Sequence, residues 1–131
     1  MSNYFLYAED DRDDIDILQE MMRKHQYPKR LISVSNGYLL LQYLQQIKRG
    51  DAYPCLIILE AKLPQLNGME TLQLLKTDDL YRLIPVIVFS TRLCTADKLL
   101  CEELGAEIVE KPTTYSTWQN VLSQFYTYSD E

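Results

Sequence analysis

The sequence predicts an α/β protein with a doubly wound, five-stranded parallel sheet and five helices. Five short runs of apolar, β-branched or aromatic residues recur along the chain, and each predicts a strand. These runs are YFLYA from residue 4, LISVS from 31, CLIIL from 55, PVIVFS from 85 and EIVE from 107. Runs that are apolar at nearly every position are typical of parallel strands covered on both faces, which favours helices on each side of the sheet.

A segment of helical periodicity follows each predicted strand. Apolar residues recur three or four positions apart in these segments, as on the buried face of an amphipathic helix. The marker residues are Ile15, Leu18 and Met22 in the first, Leu40, Leu44 and Ile47 in the second, Met69, Leu72 and Leu75 in the third, and Trp118, Val121, Leu122 and Phe125 in the fifth. The fourth segment, ADKLLCEELG, ends at Gly105, a residue that favours a helix C-cap. The alternation predicts five βα units.

Length and charge restrict the class of protein further. With 131 residues, of which 47% are hydrophobic, the chain matches one domain over residues 1–131. A formal net charge of −6 argues against binding to nucleic acid or to an anionic membrane, because both need a cationic surface. The N-terminus lacks a basic segment, and no apolar run is long enough to span a bilayer. We therefore expect a cytoplasmic protein.

Polar residues cluster where the predicted strands end. In an open α/β sheet the functional crevice lies at the carboxyl ends of the strands. The residues at these ends are Glu9, Asp10 and Asp11 after the first strand, Glu60 after the third, Ser90 and Thr91 at the fourth, and Lys111 with Pro112 after the fifth. The sequence therefore predicts a site of carboxylates, hydroxyls and one lysine at a single edge of the sheet.

Glu60 is the most informative of these residues. A carboxylate at the end of a buried strand is costly unless it is paired, hydrated or bound to a metal. Glu9, Asp10 and Glu60 together would suit Mg²⁺, which prefers oxygen ligands. Two alternatives stay open: the acidic run EDDRDDID is the solvated first turn of a helix, and Glu60 pairs with Lys111 instead of a metal.

The pattern at all five strand ends resembles the receiver domain of bacterial two-component response regulators, which has a flavodoxin-like fold. The opening YAEDDRDDIDIL is similar to short stand-alone receivers. The resemblance implies that Glu9 and Asp10 are the family's acidic pair and that Glu60 occupies the phosphoacceptor position. The remaining implied roles are metal binding by the backbone carbonyl of Lys62, loop formation by Pro64 and Gly68, phosphoryl sensing by Ser90 or Thr91, phosphoryl contact by Lys111, and a cis bond before Pro112.

Two residues depart from the family pattern. Its phosphoacceptor is Asp, whereas this chain has Glu60, and the additional methylene moves the carboxylate outward by roughly 1.3 Å. That shift disturbs the in-line geometry of phosphoryl transfer and places a negative group toward the position of an aspartyl phosphate. The second departure is Ile108, which stands where the family often has an aromatic switch residue.

These features predict a stand-alone receiver without an output domain, which acts through protein contact and independently of phosphorylation. The alternative is a receiver that accepts a phosphoryl group from a histidine kinase in a Mg²⁺-dependent reaction. We do not expect an enzyme beyond such self-phosphorylation, because no Asp nucleophile or substrate pocket of a Mg²⁺-dependent phosphotransferase or hydrolase is recognisable. The resemblance implies that a histidine kinase or another signalling protein binds the face made by the fourth helix, fifth strand and fifth helix, where a homodimer would also form.

Overall fold

Five parallel strands form one sheet in the computed structural model, which describes residues 4–27 and 30–128. The strands are β1 (Tyr4–Ala8), β2 (Arg30–Val34), β3 (Leu56–Leu59), β4 (Val86–Ser90) and β5 (Glu107–Glu110). Their order in the sheet is β2-β1-β3-β4-β5. Each strand lies within one residue of its predicted bounds, and the predicted fold class is confirmed.

A helix follows each strand. The helices are α1 (Arg12–Lys24), α2 (Gly37–Gln45), α3 (Gly68–Lys76), α4 (Thr95–Leu104) and α5 (Tyr115–Phe125), and a 3₁₀ turn at Tyr126–Tyr128 follows α5. Side-chain oxygens cap the first turns of four helices by accepting backbone N–H groups, and the capping residues are Asp11, Asn36, Asn67 and Thr114. Gly105 ends α4 in the left-handed conformation with φ 78°, as its position in the sequence predicts.

The sheet separates two hydrophobic clusters. Leu6, Leu59 and Val88 face one cluster, which is completed by residues from α2, α3 and α4. Phe5 and Phe89 face the other cluster, which is completed by residues from α1 and α5. Because side chains alternate between the two faces of a strand, the apolar runs supply both clusters. Each end of the three central strands is therefore held rigidly between two layers of helices.

The edge strands depart from the expectation of complete burial. All residues of β1, β3 and β4 are buried, whereas β2 is half-buried and β5 exposes three of its four residues. An edge strand has a neighbour on one side only, and helices cover it less completely. Ile47, expected on the second helix, lies just beyond the C-cap of α2 at Gln46. Among the helices of the described residues, none is both long and apolar enough to cross a membrane.

Candidate functional site

Four buried polar side chains meet at the carboxyl edge of the sheet. Glu9 directly follows β1, Glu60 follows β3, Ser90 is the last residue of β4 and Lys111 follows β5. All four belong to the small set of polar or charged residues that are buried in this structure. Because buried polar groups need partners, their mutual contacts define the site.

Both carboxylate oxygens of Glu60 are engaged by neighbouring groups. Oε1 lies 2.5 Å from Lys111 Nζ. Oε2 accepts hydrogen bonds from Ser90 Oγ at 2.8 Å and from the backbone N–H of Lys62 at 3.0 Å. The Glu60 side chain is thus fixed by a charge, a hydroxyl and a backbone donor.

The Lys111 ammonium joins carboxylates from three parts of the chain. Besides Glu60, its Nζ donates to Glu9 Oε1 at 2.5 Å and to Asp14 Oδ2 at 2.8 Å. Burial lowers the pKa of Lys111, but its hydrogen bonds to Asp14, Glu60 and Glu9 outweigh burial and hold the pKa above its usual value. The side chain therefore stays a cation and uses its three donors on three carboxylates.

Glu9 is held by two further donors. Its Oε1 accepts the hydroxyl of Tyr7 at 3.1 Å, and its Oε2 accepts the backbone N–H of Asp11 at 3.1 Å. Burial raises the pKa of Glu9, although Lys111 and the Asp11 N–H act in the opposite direction. Burial, followed by the charges of Glu9 and Asp14, also raises the pKa of Tyr7, so the phenol stays protonated and donates.

The loop after β3 holds the Glu60 backbone close to the start of α3. The N–H of Gly68 donates to the carbonyl of Ala61 at 2.9 Å. A Cβ built on Gly68 would lie only 2.1 Å from the backbone oxygen of Glu60. Only glycine allows this approach, so Gly68 determines how closely the start of α3 can pack against the Glu60 backbone. Pro64, also assigned to the loop, is exposed and precedes Gln65, whose φ is 64°.

Several residues predicted for the site lie outside this network. Asp10 and Thr91 are exposed. Lys62 contacts Glu60 through its backbone N–H, and metal binding by its carbonyl stays a prediction. Ile108 is 38% exposed on β5 and belongs to the outer surface. The side chains that the structure does bring together are therefore Glu9, Glu60, Ser90 and Lys111, which come from four different strand ends.

The predicted cis peptide bond before Pro112 is wrong. No cis peptide bond occurs within residues 4–27 and 30–128, so the bond between Lys111 and Pro112 is trans. The trans form is intrinsically preferred before proline by about 0.5–1 kcal/mol. With the trans bond, the N–H of Lys111 donates to the Ser90 carbonyl at 2.9 Å and its side chain reaches all three carboxylates, so the site does not require the cis form.

Asp14 and Tyr7 are site residues that the sequence reasoning missed. Asp14 lies in the first turn of α1, where the acidic run EDDRDDID offers several equivalent carboxylates and does not show which one turns inward. Tyr7 precedes Glu9 by two positions, the spacing that places two residues on one face of a strand. This spacing could have predicted that Tyr7 lies beside Glu9.

The fold is shared with a known class of signalling protein. A family model described as the response regulator receiver domain matches residues 5–122. The response regulator Rcp1 of Synechocystis sp. is 30% identical over 101 residues, which cover 76% of this chain and 69% of Rcp1. The chain belongs to the response regulator receiver domain family, whose members act in two-component signalling.

Solved structures agree in fold along nearly the whole chain. The phosphorylated cyanobacterial phytochrome response regulator RcpA gives a TM-score of 0.85 at 25% identity, with 98% of this chain and 94% of RcpA covered. The Mn²⁺-bound form of Rcp1 gives a TM-score of 0.83 at 24% identity, with 95% of this chain and 92% of that chain covered. A divalent cation and a phosphorylated state are thus known for receivers of this fold.

Proposed function

We propose that this receiver signals through protein contact in a state that Glu60 holds without phosphoryl transfer. The observation that carries the proposal is that Ser90 Oγ and Lys111 Nζ both contact the Glu60 carboxylate. The family resemblance assigns these two residues to the phosphoryl group. In this chain Ser90 and Lys111 already contact the Glu60 carboxylate. These are the contacts that the two residues would otherwise make with a phosphoryl group.

The same contacts make Glu60 a poor acceptor. Phosphoryl transfer needs an acceptor oxygen in line with the leaving group, with a free lone pair directed at phosphorus. Oε1 is 2.5 Å from an ammonium and Oε2 accepts two hydrogen bonds. The extra methylene of Glu relative to Asp further shifts the carboxylate by roughly 1.3 Å. Position 60 is thus better suited to imitate a phosphorylated residue than to become one.

The imitation is partial in charge. A phosphoryl group carries nearly two negative charges and three acceptor oxygens, whereas Glu60 carries one charge and two oxygens. Glu9 and Asp14 make up part of this difference, because both also accept hydrogen bonds from Lys111. Ordering of the lysine therefore depends on three carboxylates together.

Magnesium binding by Glu9, Asp10 and Glu60 stays a prediction. Rcp1 has been crystallised with Mn²⁺, so a divalent cation is compatible with the family. The alternative weighed from the sequence, a pair between Glu60 and Lys111, agrees with the 2.5 Å contact in this structure. The proposed function requires the pair and does not require the metal.

The partner in this proposal is a histidine kinase or another signalling protein. RcpA is a phytochrome response regulator, which makes a phytochrome histidine kinase the first partner to test. The proposed contact surface is the face of α4, β5 and α5, where Leu99 and Ile108 are exposed. A second copy of the chain would use the same face. We further propose a cytoplasmic location and no enzymatic activity of its own.

Intact-protein mass spectrometry after incubation with acetyl phosphate and Mg²⁺ tests the proposal. We expect no added phosphoryl group on the unmodified protein. The Glu60→Asp variant should be labelled, because the shorter side chain draws back from Lys111 and supplies the family's acceptor. Glu103→Asp, an exposed position in α4, is the matched control and should stay unlabelled. Labelling of the unmodified protein would contradict the proposal.

A further inference from the structure

The centre of the site is filled by a side chain of the protein itself. Lys111 Nζ lies 2.5 Å from Glu9 Oε1, 2.5 Å from Glu60 Oε1 and 2.8 Å from Asp14 Oδ2. The Lys111, Glu9 and Glu60 side chains are only 8%, 2% and 8% exposed. The ammonium therefore sits between the carboxylate oxygens that a metal ion would have to share.

The donor set does not fit a divalent cation in this arrangement. Asp10, the third predicted ligand, is exposed and lies outside the network of contacts around Lys111. Within the part of the chain that the structure describes, no group of three or more acidic, histidine or cysteine side chains is placed to hold a metal ion. An octahedral Mg²⁺ would need several oxygens directed at one point.

The second carboxylate oxygens of Glu9 and Glu60 also have partners. Glu9 Oε2 accepts the Asp11 N–H and Glu60 Oε2 accepts the Ser90 hydroxyl. A divalent ion would have to displace the ammonium or lie beside it. The second arrangement places like charges next to each other where solvent screening is weak.

We propose that Lys111 is the resident cation of the site and keeps divalent metal ions out of it. The inference rests on the proposed function, since it explains how the Glu60 arrangement is maintained without a metal. Asp14 is the positioning residue: from the first turn of α1 it holds the ammonium at the point where Glu9 and Glu60 converge. The positive charge that balances the carboxylates of the site is thus supplied by a side chain of the protein.

Thermal unfolding of the full chain with increasing MnCl₂ tests this inference. We expect the unfolding midpoint of the unmodified protein to stay constant up to millimolar Mn²⁺. Lys111→Met removes the ammonium but keeps an unbranched side chain, so it should lower the midpoint without metal and leave Glu9, Asp14 and Glu60 free to rearrange around an added ion. Mn²⁺ should then raise the midpoint of this variant by roughly 5 to 15 °C at a concentration about a hundredfold above its dissociation constant.

Lys98→Met, at an exposed lysine of α4, is the matched control and should behave like the unmodified protein. A midpoint of the unmodified protein that rises with Mn²⁺ as steeply as that of Lys111→Met would overturn the inference. A folded Lys111→Met protein without any response to Mn²⁺ would also overturn it.

A second measurement decides the question if Lys111→Met does not fold. The free Mn²⁺ signal in electron paramagnetic resonance should be undiminished by the unmodified protein, and loss of that signal would reject the inference. Neither metal experiment depends on phosphoryl transfer. Labelling by acetyl phosphate would instead reject the proposed function, so the two failures are distinguishable.

Discussion

At the residue scale, the site is a buried polar network in which each charged group has partners. Lys111 contacts Glu9, Asp14 and Glu60, while Ser90 donates to the second carboxylate oxygen of Glu60. Such networks hold one arrangement firmly when every member is satisfied, and they become costly when a member is lost. Removing one partner of a buried ion pair typically costs about 3–5 kcal/mol, because the other charge is left uncompensated.

Gly68 offers a residue-scale prediction, because it fixes the backbone position of Glu60. Gly68→Ala places a Cβ 2.1 Å from the Glu60 carbonyl oxygen, a backbone atom that cannot rotate away. We expect a loss of about 3 kcal/mol in the free energy of unfolding, at the upper end of the usual cost of overpacking. Urea denaturation followed by circular dichroism measures this loss.

Gly50→Ala is the control for the Gly68 substitution. Gly50 has φ 94°, and apart from the two neighbouring residues of the chain no heavy atom of the described residues lies within 4 Å of a Cβ built there. Its substitution therefore carries only the conformational cost of a positive φ, about 1 kcal/mol. Equal losses for the two variants would mean that Gly68 is not needed for the approach of α3 to Glu60.

The site residues that could be predicted are those whose position depends on strand ends. Glu60, Ser90 and Lys111 each end or follow an apolar run, so the parallel topology alone brings them together. Asp14 could not be singled out, because its inward direction depends on where α1 begins and how it packs. The trans bond before Pro112 could not be predicted either, because the resemblance implied the opposite isomer.

At the element scale, the sheet edge formed by β5 differs from its centre. β4 is buried along its whole length, whereas β5 exposes Glu107, Ile108 and Glu110. Leu99 is 59% exposed on α4, the helix that contacts β5. The apolar runs predicted the central strands well, because a strand that is buried on both faces is apolar at nearly every position. They predicted the exposure of the edge strands poorly, because that exposure depends on neighbouring elements that the local sequence does not specify.

The α4, β5 and α5 face carries an element-scale prediction. Under the proposed function, Leu99→Asp should weaken binding to a purified cyanobacterial phytochrome histidine kinase by roughly tenfold or more, because a charge replaces an apolar side chain of the proposed contact surface. Calorimetric titration measures the dissociation constant. The control is Leu83→Asp, at a side chain that is 78% exposed in the turn before β4 and belongs to none of α4, β5 and α5. Equal weakening by both variants would argue against this face.

At the scale of the whole molecule, the fold was predictable because local and global signals agree. Five apolar runs, five amphipathic segments and Gly105 at a helix end all indicate one doubly wound sheet, and the structure has that architecture. The state of the site was not predictable, because Glu9 and Glu60 suit either a divalent cation or the Lys111 ammonium and the sequence does not decide between them. Under the proposed function the contacts of Glu60 do not change, so signalling depends on the concentration of the partner protein or on competition for that partner.

A crystal structure of the unmodified protein grown in millimolar MnCl₂ tests the central claim most directly. We predict Lys111 Nζ within hydrogen-bonding distance of Glu9, Asp14 and Glu60, Ser90 Oγ on Glu60, and no anomalous scattering peak among these side chains. A manganese peak bound by Glu9 and Glu60, with Lys111 displaced, would contradict the account.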